Sequence, residues 1–315
     1  MSPTNPTGRP TAVLLMAYGT PRTRDEILPY YTDIRRGNAP TPQQLADLTA
    51  RYDALGGTSP LAARTEAQRA ALQRALDQLA PGEYEVVLGL KHAEPKIEAA
   101  VADLAARQFT RIVGLVLAPH YSSYSVGQYH GRARAAAEPH GIAYAGIDSW
   151  ATEPAFVEFV AASLRERLTA LPHHTKVVFT AHSLPQRIVA TGDRYVDELR
   201  ATAQAVAAAV GLDPWTGWSI AWQSAGRTPE PWLGPDILTV IDDLAAAEND
   251  EGRERGLLVS AVGFVADHLE VLYDLDIEAA ARARTHGIAF ARTECVNDSP
   301  TVMAALASRV HETRS

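Results

Sequence analysis

Glu85-Val-Val-Leu-Gly-Leu90, then Lys96-Ile-Glu-Ala-Ala-Val-Ala-Asp-Leu-Ala-Ala106, then Arg111-Ile-Val-Gly-Leu-Val-Leu117: two short aliphatic runs flank an Ala-rich segment of helical spacing. Runs that are apolar on both faces suit strands covered from both sides, and the segment between them is long enough for a crossover helix, so the unit reads as strand, helix, parallel strand. The same alternation extends along the chain. Strands are expected at Thr11–Met16, Glu85–Leu90, Arg111–Leu117, Lys176–Thr180, Gly217–Gln223, Gly256–Val262 and Gly287–Arg292. Helices are expected at Pro60–Leu79, Lys96–Ala106, Glu153–Leu168, Asp193–Val210, Pro235–Ala247 and Thr301–Arg309. The pattern is that of an α/β protein with parallel sheet. Two halves are expected to meet near Ala118-Pro119-His120, with the last helix able to pack on either. Ligands of open α/β sheets sit beyond the carboxyl ends of the strands, so the polar motifs that follow each strand are the candidate site.

Composition narrows the chemistry. With 315 residues and 46% hydrophobic content, the chain can fill one large core or two smaller ones. A net charge of −8 argues against a nucleic-acid surface, while local basic clusters can still hold a small anion. The single cysteine, Cys295, leaves no internal disulfide and fits a reducing cytoplasm, the expected location. Ala12–Ala17 is too short for a signal core, and no apolar run reaches the ~18 residues of a membrane span.

The motifs at the strand ends are rich in phenols, guanidiniums and imidazoles. Tyr18 stands in Met16-Ala-Tyr-Gly-Thr-Pro21, where it either caps the core or offers its ring to a flat ligand. Tyr30-Tyr-Thr-Asp-Ile-Arg-Arg-Gly37, Arg51-Tyr52 and Gly56-Gly-Thr-Ser-Pro60 interleave arginines with tyrosines. Arginine forks bind carboxylates and tyrosines stack on planar rings, so the combination suits an aromatic acid; a surface salt-bridge cluster would look the same. Neither a G-x-G-x-x-G nor a Walker loop occurs, which removes the usual support for nucleotide chemistry. His92, His120 and His182 each follow an expected strand. The His182-Ser183 pair is not a hydrolase signature, because neighbouring side chains on extended backbone point apart and no G-x-S-x-G elbow exists.

Gly263-Phe-Val-Ala-Asp-His-Leu-Glu270-Val-Leu-Tyr-Asp274-Leu-Asp-Ile-Glu278 places Glu270, Asp274 and Glu278 four residues apart, on one face of a helix. Like charges at that spacing repel by about 0.2–0.5 kcal/mol per pair, so the stripe is either a solvated acidic face or a ladder of hard oxygen donors for a divalent cation. His182, able to accept a proton or bind a metal near neutrality, complements the second reading.

Taken in order, Met16–Pro21, Tyr30–Gly37, Arg51–Pro60, Leu90–Pro95, Ala118–Ser125, Ala181–Pro185, Trp222-Gln223-Ser224 with Pro231–Asp236, and Gly263–Asp276 resemble the ferrochelatases, specifically the compact bacterial type. The resemblance implies two Rossmann-like, chelatase-like lobes, each a parallel sheet flanked by helices, with a tetrapyrrole cleft between them. The expected lobes are residues 1–119 with 290–315, the C-terminal helix returning to the first lobe, and 120–289. It also implies insertion of Fe2+, as substrate, into a porphyrin in haem biosynthesis. His182 and Glu270 would be catalytic; His182, Glu270, Asp274 and Glu278 would handle the metal; Tyr18, Arg35, Arg51, Tyr52, Ser59 and Tyr129 would surround the tetrapyrrole.

The bacterial forms most similar to the chain act on coproporphyrin III, whose four propionates suit the Arg35, Arg36 and Arg51 cluster. Protoporphyrin IX is the alternative ring, and a non-catalytic tetrapyrrole or iron carrier, or a chelatase for another metal, are alternative functions. Some relatives carry a [2Fe–2S] cluster on four cysteines; one cysteine cannot hold it, so no prosthetic group is expected. The resemblance further suggests a monomer that contacts no nucleic acid and meets the next haem-pathway enzyme transiently.

Overall fold

All seven residues of β1 (Thr11–Ala17) are buried, as an aliphatic strand covered on both faces requires. The computed structural model describes residues 10–214, 216–226, 228–247 and 254–314. They form two compact units: one runs to Trp150 and resumes at Asn297, the other is Ala151–Val296.

The first unit holds a parallel sheet ordered β2-β1-β3-β4, with β2 at Tyr84–Leu90, β3 at Arg111–Val116 and β4 at Ala143–Ile147. Its helices are α1 (Ile27–Ile34), α2 (Pro42–Ala54), α3 (Leu61–Leu79), α4 (Ile97–Ala106) and α5 (Val126–Ala137). β4 is absent from the strands expected above. Its sequence, Ala-Tyr-Ala-Gly-Ile, lacks an aliphatic run because the strand is shaped by close packing. A Cβ on Gly114 would lie 2.0 Å from the Tyr144 hydroxyl, and one on its register partner Gly146 would lie 2.7 Å from His130 Nδ1. Tyr144 and His130 fill that space and share a 2.6 Å hydrogen bond.

The second unit repeats the scheme as β6-β5-β7-β8, all parallel: β5 (His174–His182), β6 (Trp218–Gln223), β7 (Arg255–Ser260) and β8 (Ala289–Arg292). Around it run α6 (Pro154–Leu168), the short α7 (Arg187–Ala190), α8 (Tyr195–Val210), α9 (Ile237–Ala246), α10 (Leu269–Val271) and α11 (Ala280–Thr285). Val178, Ile241, Leu257, Val259 and Leu275 are fully buried in its core. The chain then returns to the first unit as α12 (Pro300–Thr313), which packs on α3; Gln68 Nε2 donates to Asn297 O at 3.0 Å, and Tyr84 Oη and His311 Nδ1 are 2.8 Å apart.

The unit boundaries thus fall later than the expected 119/120 and 289/290. α5 leads into β4, which extends the first sheet beyond β3, and β8, hydrogen-bonded to β7, keeps residues to Val296 in the second unit. No helix among the described residues is long and apolar enough to cross a membrane.

Candidate functional site

The central strand β5 ends in His182, beside Gln223 at the end of β6. His182 Nδ1 donates to the carbonyl of Ser183, which fixes the tautomer and leaves Nε2 free to act. That nitrogen lies 3.9 Å from Glu270 Oε2. On the other side, His268 Nδ1 donates to Ala266 O at 3.0 Å and His268 Nε2 lies 3.7 Å from the same carboxylate oxygen. Two imidazoles therefore turn their second nitrogens towards one carboxylate. Tyr195 Oη donates to His182 O at 3.0 Å; burial, and then the neighbouring Glu270 charge, push the phenol's pKa up, so it stays a donor.

Gly263 allows this convergence. Its N–H bonds Thr180 O at 3.0 Å, and a Cβ there would sit 2.4 Å from Ala181 Cβ, so only glycine lets the loop after β7 lie against the end of β5. The loop leads into α10, which carries Glu270, and Gln223 Nε2 reaches Glu270 O at 3.5 Å.

Beyond Val271 the expected α-helix is instead a π-helix over Leu272–Ala279, in which the Ala280 N–H reaches Leu275 O, five residues back. The wider turn carries Asp274 into the interior, 5% exposed, where Ser224 Oγ donates to its carboxylate. Ser224 adopts a left-handed φ of 57° at the end of the Trp-Gln-Ser motif. Glu278 lies farther along and is partly exposed. The stripe is thus graded: Glu270 beside two histidines, Asp274 bound to a serine, Glu278 towards solvent. Among the described residues no three His, Cys, Asp or Glu side chains form a ready metal cage.

In the first unit, Tyr18 follows β1, 42% exposed, with its ring 4.6 Å from that of His92. His92 Nδ1 lies 2.7 Å from Asp33 Oδ2, and Lys96 Nζ 3.0 Å from Asp33 Oδ1. Burial lowers the His92 pKa; burial raises that of Asp33, but the His92 and Lys96 hydrogen bonds hold it below its usual value. Arg35 and Arg51 are partly exposed, Arg35 lying 5.7 Å over the Tyr31 ring. Three other expected ligand residues are interior. Tyr52 is buried and shares a 3.4 Å hydrogen bond with Thr20, Ser59 Oγ accepts from Leu61 N–H at 3.2 Å, and Tyr129 is buried beneath the Lys91 ammonium, 5.2 Å from its ring centre. His120 is also interior, its pKa pushed down to about 3 by burial.

His268, Gln223 and Ser224 were not among the expected site residues. His268 is two residues before Glu270, and attention to the helical i, i+4 face passes over it; Gln223 and Ser224 act through one contact each, which spacing does not reveal.

The ferrochelatase family model matches residues 10–314. The coproporphyrin III ferrochelatase of Halalkalibacterium halodurans is 41% identical over 310 residues, covering 97% of this chain and 98% of that one. The coproporphyrin III ferrochelatase of Geobacillus kaustophilus is 43% identical, covering 95% and 94%, and the ferrochelatase of Herpetosiphon aurantiacus 42%, covering 92% and 94%. Among solved structures, SirB from Bacillus subtilis with Fe3+ superposes with a TM-score of 0.57 at 14% identity, covering 96% of this chain and 95% of that one, a likeness of fold alone. With two parallel sheets, paired imidazoles facing a carboxylate at the end of the central strand, and these relatives along almost its whole length, the chain belongs to the ferrochelatase family.

Proposed function

We propose that this protein inserts Fe2+ into coproporphyrin III, and that His182, His268 and Glu270 carry the chemistry. Insertion exchanges two pyrrole N–H protons for one Fe2+, so the ring needs a proton acceptor and the cation needs weak oxygen or nitrogen donors near one point. The observation that carries the assignment is the approach of His182 Nε2 and His268 Nε2 to Glu270 Oε2, at 3.9 and 3.7 Å. An imidazole that accepts a pyrrole proton becomes a cation, which the adjacent carboxylate stabilises. Asp274, held by Ser224, and the more exposed Glu278 are the proposed entry route for iron; hard carboxylate donors release Fe2+ readily to the four ring nitrogens.

Tyr18, Arg35 and Arg51 of the first unit are proposed to meet the ring directly, through a stacking face and two carboxylate-binding guanidiniums. Tyr52, Ser59 and Tyr129, being interior, support that surface. Coproporphyrin is favoured over protoporphyrin by the names of relatives more than 40% identical and by a basic cluster suited to a tetracarboxylate. We further propose a cytoplasmic monomer and, since the one cysteine, Cys295, is buried and a cluster needs four thiolates, no [2Fe–2S] cluster.

The test is anaerobic and optical. Mixed with Fe2+, the protein should consume the free-base bands of coproporphyrin III faster than those of protoporphyrin IX. The reverse preference would reassign the ring, and binding of both without insertion would make the protein a carrier.

A further inference from the structure

Arg292 closes β8, opposite Val259 of β7, with its side chain only 16% exposed. Its guanidinium reaches two separate carboxylates. Nε and one terminal nitrogen bond Asp276 at 2.6 and 3.0 Å, that same terminal nitrogen lies 3.1 Å from Asp267, and the other bonds Thr293 O at 3.1 Å. Asp267 belongs to the loop before His268, and Asp276 to the π-helix. The segment held at both ends therefore contains His268, Glu270 and Asp274, while Arg292 itself is in the sheet. A planar fork hydrogen-bonded to Asp276 and ion-paired with Asp267 leaves that segment little freedom to shift along or rotate against β7.

We propose that Arg292 is a positioning residue for metal insertion, clamping Asp267 and Asp276 so that His268 and Glu270 keep the geometry that the reaction uses. It touches neither metal nor porphyrin. The role rests on His182, His268 and Glu270 being the reacting groups, and the test separates the two assignments.

Fe2+ insertion is measured anaerobically on the full-length protein, with kcat expressed per folded molecule and KM determined for porphyrin. R292M should lower kcat about ten- to a hundredfold, the scale of an ångström's misplacement, with KM for porphyrin within twofold of the parent. R292K keeps the charge but not the fork and should restore only part of kcat. Because R292M leaves Asp267 without its cation and can fail to fold, D276A is the second variant: it cuts the clamp at the more exposed acid and should lower kcat about three- to tenfold. Parent kcat in folded R292M, or in D276A where R292M does not fold, would overturn the role, as would a rise in porphyrin KM matching the fall in kcat. A fully active E270A would instead overturn the site assignment; an inactive E270A beside a fully active D276A would overturn the clamp alone.

Discussion

The Nδ1–H of His182 is engaged by its own neighbour's carbonyl, so the residue can act only through Nε2, the nitrogen that faces Glu270. His182→Ala should therefore lower kcat by about 10²–10⁴, the range for a lost acid–base group, while a fluorescence titration finds porphyrin affinity within twofold of the parent. A matching loss of affinity would make His182 a ring contact instead. Lys91 gives a second expectation. Burial, and then the Arg132 and Arg36 charges, push its pKa down from 10.5 to about 8. The unfolded chain thus holds the proton more tightly, so the charge opposes folding fully below pH 8 and ceases to do so as pH rises to 10.5. Lys91→Met should raise the thermal midpoint at pH 7 by on the order of 2–4 °C, and by less at pH 10.5; an equal gain at both would refute the electrostatic cause. Residue type and order suggested pairing His182 with Glu270, and the structure brings the two within 3.9 Å. Burial was not legible: nothing in Arg51-Tyr52 or Gln128-Tyr129 shows that the phenols face inward, because that depends on strands distant in sequence.

At the scale of elements, the loop between β7 and α10 lies against β5 only because Gly263 has no side chain. Gly263→Val should separate Glu270 from His182, lowering kcat at least about tenfold and stability by about 1–3 kcal/mol, as overpacking does; urea melts and steady-state rates together would check this. The long aliphatic strands were readable, and β1, β2, β3 and β5 to β8 all lie where the runs are. α2 could also have been read, since Thr41 and Gln44 cap each other reciprocally and Pro42 opens the helix. β4 could not, because its shape is dictated by Tyr144 and His130 reaching across glycines. Nor could the π-helix: residues spaced by four suit an α-turn and a π-turn nearly alike, and only the hydrogen bonds distinguish them.

For the whole molecule, the returning helix matters most. Val302, Met303, Leu306 and Val310 of α12 are fully buried, and exposing them would cost on the order of 6–10 kcal/mol. That is comparable to the ~5–15 kcal/mol that stabilises an entire domain. A chain ending at Ser299 should lose the cooperative unfolding of its first unit in a calorimetric scan; an unchanged scan would show α12 to be dispensable. Cys295 is buried with its thiol pKa pushed up, first by burial and then by Asp267, so Cys295→Ser should keep metal insertion within about twofold, and the parent should resist thiol reagents until unfolded. Any visible absorbance of an iron–sulfur centre would refute the proposal that the protein carries no cluster. The return of α12 also sets an order of events at the ribosome. Residues 151–296 form a contiguous unit, whereas the sheet of the first unit lacks the covering α12 until that later segment has also emerged. The second unit can therefore close on its own residues, while the first, although made earlier, stays open to chaperones and proteases until α12 has followed.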